Sequence, residues 1–256
     1  MKQDELLNQW LAEEQAAHIH GWDFSHIHGR YQEEQDLPWD YRQLVRQYLR
    51  PEFRILDIDT GGGEFLLSLK HPYYLTSATE AYPPNVSLCR DTLVPLGINF
   101  QEADGNGPLP FGDESFDLVL NRHGEYVPQE IFRILKPGGI FITQQVGAEN
   151  DRELVELLLP KTPPLPFPRQ YLNLAQKELS DCGLCILEGQ EAFSSIRFWD
   201  VGALVWFAHI IEWEFPGFSI ASCLNGLRQA QATLERDGVI EGRTHRFLLI
   251  AQKPAK

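Results

Sequence analysis

The stretch Phe53-Arg54-Ile55-Leu56-Asp57-Ile58-Asp59-Thr60-Gly61-Gly62-Gly63-Glu64-Phe65-Leu66-Leu67 decides the fold. It begins with a short apolar run that ends at an acid, continues through a glycine cluster, and then shows apolar residues at helical spacing. Such a run predicts a strand buried on both faces, as in a parallel sheet under helices. The glycines allow a tight turn and leave backbone amides open to a ligand at the start of the next helix. The pattern predicts the first half of a nucleotide-type site at the carboxyl edge of a doubly wound sheet.

Strands and helices alternate along the rest of the chain. Apolar runs predict further strands at 73–79, 98–102, 116–120, 140–143, 184–193 and 244–252, and helical spacing predicts helices at 41–49, 83–94, 128–135, 171–180 and 220–236. The sequence Lys136-Pro137-Gly138-Gly139 is interpreted as the stop of a helix. Short connections between alternating elements predict an α/β fold, a Rossmann-like doubly wound sheet of about seven strands that is mostly parallel.

Two segments lie outside this alternation. Residues 4–17 carry an apolar helical face, and together with residues 18–50 they predict an N-terminal helical cap or lid at 1–50, ahead of a core at 51–256. Residues 194–241 form a predicted helical insertion before the last strand. Within it, residues 200–213 are apolar nearly all round, which is compatible either with plain core or with the wall of a substrate pocket.

Composition restricts the classes of function. The chain has 256 residues, 43% of them hydrophobic and 23% charged, and a formal net charge of −14 without a block of lysine or arginine. This negative field repels nucleic acid and favours a small-molecule acceptor. The polar start Met1-Lys2-Gln3-Asp4-Glu5 and the lack of a long apolar run argue against a signal peptide and a membrane span. We therefore expect a cytoplasmic protein.

The cysteines and histidines raise the question of a metal or redox site. Four cysteines in a chain of this size indicate reduced thiols, and the pair Cys182 and Cys185 is interpreted as packing because no second pair accompanies it. Two His-x-His pairs, His18 with His20 and His26 with His28, lie among glycines that argue for a loop. No metal site is predicted. The loop is either a surface segment or a lid over a ligand.

Five motifs, taken in order, resemble those of class I S-adenosylmethionine-dependent methyltransferases. They are residues 55–63, Glu80 after the second strand, Asp104 after the third, residues 109–119, and residues 133–139 before the fifth strand. The resemblance is close over about 53–147 and extends to the remainder only in arrangement. The flanks resemble one bacterial branch of the methyltransferase-11-like domains. The resemblance implies the Rossmann-like fold with an antiparallel last strand, and S-adenosyl-L-methionine as the cofactor.

The resemblance also implies a set of cofactor-binding residues. They are Asp57, Asp59, Gly61, Gly63, Glu80, Ala81, Ala103, Asp104, Gly105, Asn121 and Arg122. The charge of Asp57 favours the ammonium and sulfonium groups, Glu80 can accept hydrogen bonds from the ribose hydroxyls, and Asp104 matches the residue that binds the adenine amino group. The family has glycine where this chain has Asp59, so we expect an unusual backbone angle there.

Methyl transfer in-line from a sulfonium needs alignment and exclusion of water, and a base only if the nucleophile must lose a proton. The candidate catalytic residues come directly after the fourth strand: His123, Glu125 and Tyr126. His123 is equally well explained as a loop histidine bonded to backbone. Candidate substrate-binding residues are Trp22, Arg30, Arg197, Trp199, His209 and Trp213. Aromatic rings and arginine suit a ligand with a flat ring and a carboxylate.

We therefore expect an enzyme that methylates an O, N or C nucleophile of a small molecule, and two alternatives stay open. An NAD-dependent Rossmann oxidoreductase would need a third glycine where this chain has Leu66. A non-catalytic S-adenosylmethionine-binding subunit would keep the cofactor pocket and act as a sensor or partner. The acceptor and the oligomeric state are not predicted.

Overall fold

The fold is described from a computed structural model, which covers residues 3–18 and 23–255. Its strands are β1 Tyr31–Glu33, β2 Ile55–Ile58, β3 Thr76–Glu80, β4 Asn99–Glu102, β5 Phe116–Arg122, β6 Leu135–Val146, β7 Cys185–Phe198 and β8 Ile240–Gln252. Its α-helices are α1 Gln3–Ala16, α2 Tyr41–Tyr48, α3 Glu64–Ser68, α4 Pro83–Thr92, α5 Pro128–Ile134, α6 Arg152–Leu158, α7 Leu172–Asp181, α8 Val201–Ile210 and α9 Ile220–Asp237. Over the described residues, no helix combines the length and apolar character that a bilayer crossing requires.

The chain divides into two compact units. The first comprises Met1–Leu37, Gly147–Arg169 and Ala192–Arg246, and the second comprises Pro38–Val146, Gln170–Glu191 and Phe247–Lys256. Strands β7 and β8 each contribute residues to both units. The predicted division into a cap at 1–50 and a core at 51–256 stays a prediction.

The second unit is built on a largely parallel sheet. Its strand order is β7-β8-β6-β5-β2-β3-β4, and β2 is parallel to both β3 and β5. All four residues of β2 are buried, which is what the apolar run 55–58 predicts for a central strand under helices. The order reverses at β2, so the carboxyl ends of β2 and β5 border the crevice where doubly wound sheets bind ligands. The predicted α/β fold is confirmed.

Strand β8 is antiparallel to β6, as predicted for the last strand. Lys253, just after β8, exchanges backbone hydrogen bonds with Gly138 and Gly139 near the start of β6. The Gly147 amide, just after the end of β6, bonds to the His245 carbonyl near the start of β8. The two strands therefore run in opposite directions.

The first unit has a core of its own. Its sheet order is β1-β7-β8, with β1 antiparallel to β7, and its largest buried side chains include Trp206, Phe198 and Phe215. Residues 201–208 of α8 are all buried. The burial of 201–208 agrees with the core interpretation of this segment, whereas a pocket wall near the exposed His209 and Trp213 stays a prediction.

The predicted sheet of about seven strands is confirmed, with eight strands in all because residues 31–33 add β1 at one edge. Two element boundaries need correction. Residues 73–75 form a 3-10 turn, and Tyr74 is 82% exposed, which a strand buried on both faces does not permit. The helix α5 ends at Ile134, as predicted from residues 136–139, but the strand predicted to begin at Ile140 begins at Leu135, because pairing with Lys253 supplies the backbone of 138–139 with partners.

The glycine turn gives the first test. Gly63 precedes α3 with φ of +85°, and a Cβ built there would lie 2.7 Å from a Leu93 methyl. We expect Gly63→Ala to lower the free energy of unfolding by about 2–4 kcal/mol, through left-handed backbone strain and overpacking. Urea denaturation measures the loss.

Gly62→Ala is the matched control. A Cβ at Gly62 meets only the flexible, exposed Glu64 carboxylate, so we expect a change within about 1 kcal/mol. Equal losses for the two variants would contradict the packing role of Gly63.

Candidate functional site

The first acid of the site lies at the end of β2. Asp57 is only 3% exposed, and its Oδ2 accepts a 2.7 Å hydrogen bond from the Thr60 hydroxyl. Burial raises the pKa of Asp57 to about 6, a shift that Thr60 and Arg122 oppose and Glu80 increases. A buried acid of this kind favours a cation beside it.

Glu80 joins the glycine turn to the end of β3. One carboxylate oxygen accepts the Gly61 amide at 2.8 Å, and the other accepts the amides of Ala81 and Tyr82, each at 2.9 Å. The Asn85 side chain donates to Glu80 at 3.4 Å, whereas its own Oδ1 is buried without a hydrogen-bond partner. A hydroxyl bound at Glu80 would find a second acceptor in this orphaned oxygen.

Asp59 has the backbone angle expected from the missing glycine. Its φ is +55°, and its carboxylate accepts the backbone amide of Glu125. A Cβ on Gly124 would lie 2.5 Å from Asp59 Oδ2, so only glycine fits beside this side chain. Burial, followed by the charges of Glu80 and Asp104, raises the pKa of Asp59 to about 7. The carboxyl thus ties the turn after β2 to the loop after β5.

The residues predicted to flank an adenine ring come directly after β4. The Ala103 amide bonds to the Glu80 carbonyl at 3.2 Å, and the exposed Asp104 accepts the Asn106 amide at 2.9 Å. Gly105 is buried, and a Cβ there would lie 2.0 Å from the Glu125 carbonyl oxygen. The loop after β5 therefore covers one side of Gly105.

Asn121 is fully buried and bonded within the protein. Its Nδ2 donates to the Ile58 carbonyl at 3.3 Å, and its Oδ1 accepts bonds from Gln145 Nε2 at 2.5 Å and the Thr143 hydroxyl at 3.1 Å. Gln145 also donates to the Gly124 carbonyl at 2.9 Å. This network holds the strand end and the loop in place, and the predicted cofactor contact of Asn121 stays a prediction.

Arg122 and His123 lie at the exposed end of β5. The Arg122 guanidinium lies 5.3 Å from the centre of the Phe65 ring. Gln144 Nε2 lies 3.1 Å from His123 Nε2, and the Trp39 indole donates to Gln144 Oε1 at 2.8 Å. Because an amide nitrogen only donates, this network assigns an acceptor role to His123 Nε2 and the proton to Nδ1.

Trp39, Gln144 and Gln145 were not among the predicted site residues. For Gln144 and Gln145 the sequence signal is a pair of polar residues near the end of a largely apolar strand. Both side chains are buried in the structure. Buried amides need partners, and such a pair at a strand end indicates a network around the site.

Tyr126 and Glu125 differ in how readily they can accept a proton. The Tyr126 ring packs edge-on against Phe141 at 5.0 Å, and burial raises the pKa of the phenol. Glu125 is exposed. Tyr126 is thus the weakest candidate of the three for taking up a proton near neutral pH, and the catalytic assignments stay predictions.

The predicted substrate residues that the structure describes belong to the first unit. Arg30 pairs with Glu13 at 2.6 Å and with Asp200 at 3.4 Å, and Arg197 pairs with Glu241 at 2.8 Å. The remaining described ones, Trp199, Trp213 and His209, are exposed. Trp22 lies outside the described residues.

The histidine pairs are only partly described. His26 pairs with Glu13 at 2.6 Å and stacks on Trp206, whereas His20 lies outside the described residues. Over the part of the chain that is described, no group of three or more ligating side chains could hold a metal ion.

Comparisons with known proteins cover the segment that contains β2, β3 and β5. Residues 56–143 match a family model described as a methyltransferase domain. The phthiotriol/phenolphthiotriol dimycocerosates methyltransferase of Mycobacterium tuberculosis is 30% identical over 120 residues, which are 44% of this chain and 44% of that protein. The demethylmenaquinone methyltransferase of Thermus thermophilus is 33% identical over 115 residues, 41% of this chain and 52% of that one. The match thus spans about half the length of these relatives.

A solved structure supports the fold over a longer stretch. A functionally unknown protein from Deinococcus radiodurans R1 superposes with a TM-score of 0.60 at 16% identity, over 95% of this chain and 97% of that one. At this identity the likeness shows the fold alone.

Asp59 gives a test of the electrostatics. Its ordinary pKa is 3.8, and in the fold it is about 7, so the folded state keeps a proton that the unfolded state loses as pH rises. The loss of folding stability that Asp59 causes is absent below pH 3.8 and complete above about pH 7. We expect Asp59→Asn to raise the free energy of unfolding by about 1–2 kcal/mol at pH 8, a value discounted for partial exposure.

The gain in the free energy of unfolding from Asp59→Asn should shrink toward zero at pH 4. Urea unfolding at pH 4 and pH 8 measures it. Asp91→Asn, on an exposed position of α4, is the control and should show no such gain. A gain of Asp59→Asn that is equal at both pH values would contradict the proposed burial of charge.

Proposed function

We propose that this chain, in which residues 56–143 are a class I S-adenosylmethionine-dependent methyltransferase domain, transfers a methyl group to a small-molecule acceptor. The observation that carries the proposal is the convergence of Asp57, Asp59 and Glu80 at the carboxyl ends of β2 and β3 within this domain. Their mutual electrostatic effects indicate that the three acids lie close together. The family match identifies S-adenosyl-L-methionine as the cofactor rather than NAD.

The residues present fit this cofactor in charge. Asp57 and Asp59 both have raised pKa values, of about 6 and about 7, and Arg122 is the cation that lowers the pKa of Asp57. Acids held so close together are relieved by a bound cation, and the ammonium and sulfonium groups of the cofactor carry that charge. Asp57 would hold the ammonium end, with Asp59 beside it.

The residues also fit the nucleoside. Glu80 and the orphaned Asn85 Oδ1 together offer acceptors for two hydroxyls, which is the requirement of a ribose. Asp104 is exposed and would accept from the adenine amino group. Because the Glu125 carbonyl covers one side of Gly105, we include a displacement of the loop 123–126 in the proposal.

When bound, the cofactor supplies an activated methyl group on a good leaving group, so the chain mainly aligns the acceptor and excludes water. Asn121 and Gln145 hold the loop that ends at the reacting edge. His123 is the candidate base if the acceptor nucleophile carries a proton, and proton uptake at its Nε2 requires Gln144, which donates to that nitrogen, to turn its amide over. Trp39 donates to Gln144 Oε1 and therefore favours the orientation in which Gln144 donates to His123.

The acceptor is proposed to be a small organic molecule. The acceptors in the names of the two relatives, phthiotriol dimycocerosates and demethylmenaquinone, are neither nucleic acid nor protein. The formal charge of −14 points the same way. A non-catalytic cofactor-binding subunit is the alternative, and it would bind the cofactor without turnover.

Ligand-induced stabilisation tests the cofactor. We expect S-adenosylmethionine and S-adenosylhomocysteine to raise the melting temperature, because both bind only the folded state, and NAD and ATP to leave it unchanged. Thermal-shift measurements at equal ligand concentrations provide the comparison. Stabilisation by NAD alone would overturn the proposal. Binding without methyl transfer to any of a broad panel of small molecules would favour the non-catalytic alternative.

Glu80 tests the site directly. Glu80→Gln replaces one acceptor oxygen by a donor that faces the amides of Gly61, Ala81 or Tyr82. We expect at least about a tenfold loss of S-adenosylhomocysteine affinity, measured by calorimetry at a temperature where the variant is folded.

Glu102→Gln is the matched control, because Glu102 ends the neighbouring strand β4 and pairs at the surface with Arg90. It should bind as the wild type does. Loss of affinity in both variants would mean that net charge, and not Glu80, determines binding.

A further inference from the structure

The first unit contains a buried charged cluster that the methyltransferase site does not use. Arg246 is only 6% exposed, and its Nε lies 2.5 Å from the Glu34 carboxylate in an ion pair whose geometry forms no hydrogen bond. The same guanidinium donates to Asn150 Oδ1 at 2.5 Å. Glu33, Asp151 and Glu214 are electrostatically coupled to Arg246 as well. One guanidinium thus lies within electrostatic range of four carboxyl groups.

Asp151 has an oxygen without a partner. It is 2% exposed and precedes α6 with φ of +55°, and it does not cap that helix. Its Oδ2 accepts the Asn150 amide at 2.8 Å, whereas Oδ1 is buried and has no hydrogen-bond partner. Leaving a buried carboxylate oxygen unsatisfied costs about 1–3 kcal/mol or more. Such an orphaned acceptor indicates a missing donor or cation.

The raised pKa values of the acids in this cluster also indicate a missing cation. Burial is the largest cause that raises the pKa of Glu33, of Asp151 and of Glu214, the last to about 7, and Arg246 lowers all three. Arg152 also lowers the pKa of Glu214, and Glu34 raises that of Glu33. One arginine therefore does not balance these acids, and the cluster keeps protons that a bound cation would replace.

A cavity reaches the cluster at Glu33. It is open to solvent, has a volume of about 450 Å³, and is lined by residues of β1, including Tyr31 and Glu33, by Trp199, and by His28, Gly29 and Gln35. The Tyr31 hydroxyl donates to Glu33 at 3.2 Å, and the Trp199 side chain is 42% exposed. An acid beside aromatic rings is the usual setting in which proteins hold organic cations.

We propose that this cavity binds a small organic amine as its ammonium ion, with the charge at Glu33 and the apolar body against Trp199. The excess of acid excludes an anion, and no group of ligating side chains in the described residues could hold a metal ion. Asp151, which is electrostatically coupled to Glu33, adds negative charge once the bound cation displaces its proton. The site rests on residues of the first unit alone, so it stands independently of methyl transfer.

The test compares an amine with its neutral analogue. Tyramine, methylammonium and 4-ethylphenol are each added to the full chain, without cofactor, and the melting temperature and the calorimetric affinity are measured. We expect tyramine to bind most tightly and methylammonium to bind more weakly, and we expect 4-ethylphenol to bind at least about tenfold more weakly than tyramine. Titration of tyramine in two buffers near pH 7 should show proton release.

Variants assign the effect to the cluster. Glu33→Gln should weaken tyramine binding by about tenfold or more, and Asp151→Asn serves as the second variant should Glu33→Gln not fold. Glu235→Gln, an equal charge change on the exposed face of α9, should bind as the wild type does. The proposal is wrong if neither amine stabilises the protein, if 4-ethylphenol equals tyramine, or if both cluster variants bind tyramine unchanged.

Discussion

The hydrogen bond from the Gly61 amide to Glu80 is the contact on which the cofactor site depends. It fixes the turn after β2 against the end of β3, and the same carboxylate also accepts two amides of its own strand end. Asp57 is held within the paired strand β2, and the turn that follows places Asp59 beside it. Three acids are thereby kept close together in spite of their repulsion, which a bound cation would relieve under the proposed function.

Local signals in the sequence were sufficient for this part of the molecule. The buried strand 55–58, the turn and the acids at strand ends are encoded within a few residues of one another, and the fold and the recognition of the domain are confirmed. The positive φ of Asp59 was expected because a glycine is replaced there. The individual site roles stay predictions, since their test needs bound ligand.

Other features depend on contacts between distant parts of the chain and left no local signal. Strand β1 has three residues and exists through its pairing with β7, and the first residues of β6 are extended because Lys253 pairs with them. Likewise, Glu33 and Arg246 lie near opposite ends of the sequence, so their coupling in the buried cluster is visible only in three dimensions. The strand propensity of a local sequence cannot predict such pairs, because tertiary contacts override it.

The chain of contacts from Trp39 through Gln144 to His123 links a buried indole to an exposed imidazole. A second proton on the imidazole would turn Nε2 into a donor facing another donor, so the Gln144 amide would have to turn over. The hydrogen bond between the Trp39 indole and the Gln144 oxygen would then break, and the amide nitrogen of Gln144 would face the indole nitrogen instead. The hydrogen bond of a buried indole is thereby linked to the charge at position 123.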